Sequence, residues 1–178
     1  MLLENKEIIE RPRHQVYTLV RDKLSLIAST LPNIEKVTLV ENRYSATDNL
    51  THVLNHWYAK VEIPDVAKRF VKSELFSWKD RAVWDNNLYT VDYTLESFWS
   101  EKIFDAHGKN YFRELSPGIT ELELTCEIIV HPDKVPGVPS FLVKSAMPFV
   151  EEMMKKVLEP NLLNLGKAIR EYIIQQHL

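Results

Sequence analysis

The feature that most limits how this chain can fold is its last stretch, Pro139 to Leu178, which reads as one long amphipathic helix after a run of strands. Phe149, Val150, Met153, Met154, Val157, Leu158, Leu165, Ile169 and Tyr172 form a broad apolar stripe, and Glu151, Glu152, Lys155, Lys156 and Glu159 hold the other side. Such a stripe has to be buried against another element, and apart from one N-terminal helix the chain before it supplies strands. Pro160 removes an internal hydrogen bond, so a kink near Val157 is expected. Pro148 marks either an earlier kink or the true start, with Ser145 upstream as a possible cap.

The strands follow from composition and punctuation. Residues 2 to 10 alternate weakly and stop at Arg11-Pro12, and Pro12 suits the first turn of a helix. Val16, Val20, Leu24, Ile27 and Leu31 then share one helical face until Leu31-Pro32-Asn33 ends it. Ile34 to Glu41, Leu50 to Ile63, Phe76 to Asp85 and Leu88 to Phe98 are rich in valine, tyrosine, tryptophan and threonine, as strands are. Asp85-Asn86-Asn87 suits a tight hairpin, and Asp105 to Lys109, with Gly108, suits a turn. Ser116-Pro117-Gly118 precedes a last strand at Ile119 to His131, while Pro64 to Ser73 reads as either a helical turn or a loop. These short connections imply antiparallel neighbours.

Alternation assigns faces, because a strand sends successive side chains to opposite sides. Val53, Trp57, Val61 and Ile63 oppose His52, His56, Lys60 and Glu62. Trp78, Asp80, Ala82 and Trp84 share a face with Phe76, and Tyr89, Val91, Tyr93 and Leu95 share another. Leu122, Leu124, Cys126, Ile128 and Val130 oppose Glu121, Glu123 and Glu127. The reading is an α+β domain spanning 1–178: an antiparallel sheet with one apolar face, covered by the terminal helix.

The order of strand, helix, six further strands and long helix resembles the helix-grip superfamily of START, polyketide-cyclase and plant-allergen proteins. The residues carrying the resemblance are Glu10-Arg11-Pro12 leading to Val16, Leu19 and Asp22, then Leu31-Pro32-Asn33-Ile34-Glu35-Lys36-Val37, and the Ser77-Trp78 to Trp84-Asp85 strand. The tail Glu159-Pro160-Asn161-Leu162 to Ala168-Ile169-Arg170-Glu171-Tyr172 resembles bacterial cyclase-like members, so the likeness covers essentially the whole chain. It implies a curved seven-stranded antiparallel sheet wrapped around the long helix, with a hydrophobic cavity for lipids, polyketides or similar molecules. Relatives often carry a glycine-rich turn between strands, whereas this chain has 4 glycines in all, which argues against a phosphate-cradling loop.

Composition excludes several classes. With 22 basic and 25 acidic residues there is no global charge to attract nucleic acid or an anionic membrane, and no window holds the roughly 20 apolar residues of a membrane span. The start lacks the pattern of a secretory signal, so a cytoplasmic location is expected, and the single Cys126 cannot form an internal disulfide.

Trp57, Trp78, Trp84, Tyr89 and Tyr93, all on inward rows, either fill a core or line a ligand cavity, with Phe149, Met153 and Val157 of the terminal helix as its lid. Asp80 interrupts an inward row and is the best single acid or base candidate, with a raised pKa if desolvated; the alternative is that a register shift exposes it or pairs it with Arg113. Asn55 is a weaker polar candidate of the same kind. His52 and His56 would lie roughly 13 Å apart on a strand at ~3.3 Å per residue, too far to share an ion, so no metal is expected, nor any cofactor. Cys126 between Leu124 and Ile128 reads as a buried filler. Three functions remain: a carrier or binder of a small hydrophobic molecule, a cyclase or dehydratase in which Asp80 moves a proton aided by Tyr89 or Tyr93, and a domain that binds a protein partner.

Overall fold

The structure is a computed structural model describing residues 1–60, 62, 76–98, 103–131, 134 and 143–176, without the side chains of 143–147, 149, 150 and 153. The ambiguous segment 64–73, Val61, Ile63 and the expected helix start at Pro139 lie outside the described residues.

The elements are β1 (Leu2–Ile9), α1 (Arg13–Ile27), β2 (Ile34–Ser45), β3 (Leu50–Ala59), β4 (Trp78–Asp85), β5 (Thr90–Ser97), β6 (Phe104–Ser116), β7 (Ile119–Val130) and α2 (Val143–Gln175). The seven strands form one sheet in the order β1-β7-β6-β5-β4-β3-β2, and every pairing is antiparallel. The chain starts at one edge, and α1 carries it to the other. From β2 onward, each strand pairs with the one before it until β7 meets β1. Register shifts at Ile34/Lys36 and Leu39/Glu41 in β2 and at Glu114/Ser116 in β6 are places where an extra residue bends a strand.

The apolar face carries the core. Val16, Tyr17 and Ile27 of α1, Leu122, Leu124 and Ile128 of β7 and Ile169 of α2 are all almost fully buried. The other face is solvated and laced with ion pairs such as Lys109–Asp92 at 2.9 Å and Arg81–Glu96 at 3.2 Å, exposed contacts of small energetic weight. Among the described residues no helix is long and apolar enough to cross a membrane.

Helix α2 is held at both edges of the sheet. Pro160 has no N–H for the carbonyl of Lys156, and Asn33, just before β2, donates its side-chain amide to that oxygen at 2.9 Å. At the opposite edge, Asn5 of β1 donates to Leu162 O at 3.2 Å, and Arg170 meets Glu7 at 2.6 Å. Gly166 makes this approach possible, because a Cβ there would overlap the side chain of Glu7.

Several boundaries differ from the sequence reading. Pro12 precedes α1 instead of entering it: its φ is −58° but its ψ is 140°, and its carbonyl accepts from Gln15 and Val16. Strand β2 runs on to Ser45, and β3 stops at Ala59. The stretch 105–109, expected as a turn, is inside β6, and Gly108 is there because a neighbouring side chain occupies the space of its missing Cβ. The hairpin after Asp85 is a four-residue turn, 86–89, in which Asp85 Oδ1 accepts from the N–H groups of Asn87 and Leu88, both at 2.9 Å. Tyr89 therefore ends a turn at φ 55° and does not belong to the inward row of β5.

Candidate functional site

Strands β3 and β4 build the floor of an internal cavity. Their register sets Trp57 opposite Trp78, Asn55 opposite Asp80 and Thr51 opposite Trp84, all buried. The Trp57 and Trp78 rings stack with centroids 5.7 Å apart and planes 12° from parallel. Trp57 Nε1 donates to Asp80 Oδ2 at 3.2 Å, and Asn55 stands beside the carboxyl group, opposite it in the register. Of the two placements open for Asp80, the inward one holds. It is 8% exposed, and Arg113 is elsewhere, on the solvated face with Glu121 and Glu123.

Strand β5 adds Tyr93, whose ring crosses β6 above Gly108 and whose hydroxyl donates to Thr125 O on β7 at 2.7 Å. Any side chain at position 108 would collide with that ring, so the glycine and the tyrosine form one device. Asn110 lies two residues along β6 from Gly108, and Cys126 faces Gly108 from β7. Helix α2 closes the space with Leu158, Asn161, Leu162 and Leu165, and α1 contributes Val20 and Leu24. The cavity measures about 130 Å³.

Burial sets the chemistry of its walls. It pushes the Asp80 carboxyl up to about 6, against the opposing influence of the polar Trp57 and Asn55 side chains. The same effect raises the Cys126 thiol to about 11 and the Tyr93 hydroxyl well above its usual range, so both are neutral near pH 7. Four buried side-chain polar atoms lack a hydrogen-bond partner among the described residues: Asp80 Oδ1, Trp84 Nε1, Asn110 Oδ1 and Asn161 Oδ1. All four belong to residues that line this one cavity. Native interiors leave few such groups, so four among the residues of one cavity stand out.

A second concavity lies between α1 and the turns at Asn49 and Tyr89, with His14, Arg21 and Tyr44 on its walls. Asn86 ties several of its polar groups together. Asn86 accepts from Arg21 Nη1 at 2.9 Å and from Tyr17 Oη at 3.2 Å, and donates to Asn49 O at 2.8 Å. Among the described residues no buried unpartnered atom points into it, which sets it apart from the cavity under α2.

Of the candidates read from the sequence, the structure brings Trp57, Trp78, Asp80, Trp84 and Tyr93 together around the cavity. Tyr89 is not with them; it packs edge-on to Tyr17 at 5.1 Å, beneath the Arg13 guanidinium. Val157 is buried in the core, and its neighbour Leu158 faces the cavity in its place. The side chains of Phe149 and Met153 lie outside the described residues. His52 and His56 sit half-buried on the other face of β3, where the His56 ring meets Phe98 at 4.8 Å.

Sequence reasoning missed Asn110 and Asn161. The first was hidden by reading its strand as a turn. The second had a usable signal: Val157, Asn161 and Leu165 are successive positions four apart, so the asparagine interrupts the buried stripe.

No protein-family model matches this chain, and no curated protein matches it in sequence. Solved structures do match its fold. A protein from Thermus thermophilus superposes with a TM-score of 0.63 at 18% identity, covering 100% of both chains. The Zhui aromatase/cyclase from a Streptomyces species gives 0.64 at 16% identity, over 100% of this chain and 96% of that one. A START superfamily protein from Mycobacterium smegmatis gives 0.50 at 12% identity, over 98% of each. The seven-stranded antiparallel sheet, its covering C-terminal helix and these likenesses give this chain the START-like helix-grip fold.

Proposed function

We propose that the protein binds a small, largely apolar molecule in the cavity between the sheet and α2. The observation that carries this reading is that the four residues with a buried, unpartnered polar atom all line one cavity, which also holds three tryptophans in its wall. Leaving a buried polar group unpaired costs about 1–3 kcal/mol, and a ligand with matching polar points would recover part of that for each group it meets. At about 130 Å³ the space is close to the ~150 Å³ of an apolar cavity able to take benzene, so the bound part is of the order of one ring. Desolvation of the ligand against tryptophan and leucine supplies affinity, and the four polar atoms supply orientation.

The test is mass spectrometry of whatever is released on denaturing the purified protein, with tryptophan emission followed against a panel of single-ring compounds. A bound small molecule, or saturable quenching, is the expected result. An empty protein whose emission no compound changes overturns the reading.

A second reading has its own observation, the free Oδ1 of Asp80 on a carboxyl that titrates at about 6. Such a group can accept or return a proton near neutral pH, as a cyclase or dehydratase requires. Here Asp80→Asn would abolish turnover of a substrate; unchanged turnover rejects the role.

A further inference from the structure

We infer that the cavity selects a cationic amine, a ring or short apolar body carrying a protonated nitrogen, which Asp80 holds against the tryptophan walls. This rests on the cavity being a binding site, and it adds the charge of what is bound.

The argument starts from the groups that face the space. Asp80 is the one carboxylate among the described lining residues, and no lysine, arginine or histidine of that set lies with it. Its Oδ2 takes the Trp57 N–H at 3.2 Å, and its Oδ1 takes nothing. A buried carboxylate held only by neutral donors is costly, and a cation is the partner that offsets this most strongly.

The remaining free atoms favour the same ligand. Asn161 is anchored by its Nδ2, which donates to Val157 O at 2.6 Å, so its unpartnered oxygen is an acceptor by construction. With Asn110 Oδ1 and Asp80 Oδ1 this makes three acceptors among the fully buried unpartnered atoms, against one donor, Trp84 Nε1. An ammonium group brings three donors and no acceptor, which fits that balance. The indoles of Trp57, Trp78 and Trp84 attract cations through their faces. A fatty acid or other carboxylate would instead set a second negative charge beside Asp80. Tyr93 and Cys126, the other titratable groups among the described lining residues, stay neutral and leave the charge argument to Asp80.

The experiment compares benzylamine, benzyl alcohol and benzoate, which share one ring and differ in charge, by calorimetry and tryptophan emission on the full chain at pH 7.5. The amine should bind about tenfold or more tightly than the alcohol, the scale of a hydrogen bond to a charged group, and benzoate should bind most weakly. Asp80→Asn should remove the advantage of the amine over the alcohol. If that variant does not fold, the unmodified protein still decides: lowering the pH from 7.5 to 5 should weaken the amine and leave the alcohol unchanged. An alcohol equal to the amine, or benzoate as the tightest of the three, overturns the inference but keeps the cavity as a site. Failure of all three to bind overturns both.

Discussion

Asp80 should make this protein less stable as the pH rises, and its amide variant should lack that dependence. The carboxyl is buried and its pKa in the fold is about 6, above the ordinary value of 3.8. Between those values the folded chain holds a proton that the unfolded chain has lost, so the stabilising contribution is fully present below about 3.8 and is lost as the pH rises through about 6. At ~1.4 kcal/mol per pKa unit the whole loss is about 3 kcal/mol, of which about 2 kcal/mol falls between pH 4.5 and 8. Asp80→Asn keeps the shape and an acceptor for Trp57 Nε1 but cannot ionise. Urea unfolding of both proteins across this range isolates the term, because any fixed packing cost of the amide cancels from the pH dependence. The stability of the variant relative to the parent should rise by about 2 kcal/mol from pH 4.5 to 8. A difference that stays flat would mean that Asp80 is solvated or carries a compensating cation, and the account of the cavity's electrostatics would fail with it.

Three further outcomes follow from the packing. Gly108→Ala should destabilise the fold by about 1–3 kcal/mol in urea unfolding, since its Cβ overlaps both Thr125 O and the Tyr93 ring; a neutral effect would place Tyr93 elsewhere. Asn33→Ala should cost about 1 kcal/mol, and less in a Pro160→Ala background where the N–H of residue 160 can serve Lys156 O; strictly additive effects would reject the coupling. Cys126, buried with its thiol raised to about 11, should resist alkylation by iodoacetamide at pH 7.5 until urea unfolds the chain, and rapid labelling of the native protein would contradict its burial.

Much of the architecture was legible in the residues alone. Period-two alternation identified the inward rows of β4 and β7, and the stripe of α2 required a sheet to cover. The reason is physical: which face of an element is apolar is a property of the sequence, and burial of that face leaves few arrangements. Element ends were less legible, because they depend on partners. Strand β2 extends to Ser45 because β3 offers Leu50 to pair with it, a contact that no local composition announces.

The candidate site divides in the same way. That Trp57, Trp78, Asp80 and Trp84 point inward followed from their spacing. Tyr89 was read with them because one more residue of strand would have put it there, yet the Asp85 turn and a φ of 55° swing it towards Tyr17. Asn110 emerged only when Gly108 proved to be a gap under Tyr93, a fact about two residues far apart in the chain.

By itself, then, the sequence determined the element order, the apolar faces and the need for a covering helix, all of which depend on neighbours close along the chain. Only the tertiary structure decided that the inward residues stand around a space instead of filling it, and that four of the residues around it carry buried polar atoms without partners among the described residues. Cavities and unmet hydrogen bonds arise from the distances between elements, and those distances exist only once strands, helix and register have been assembled together.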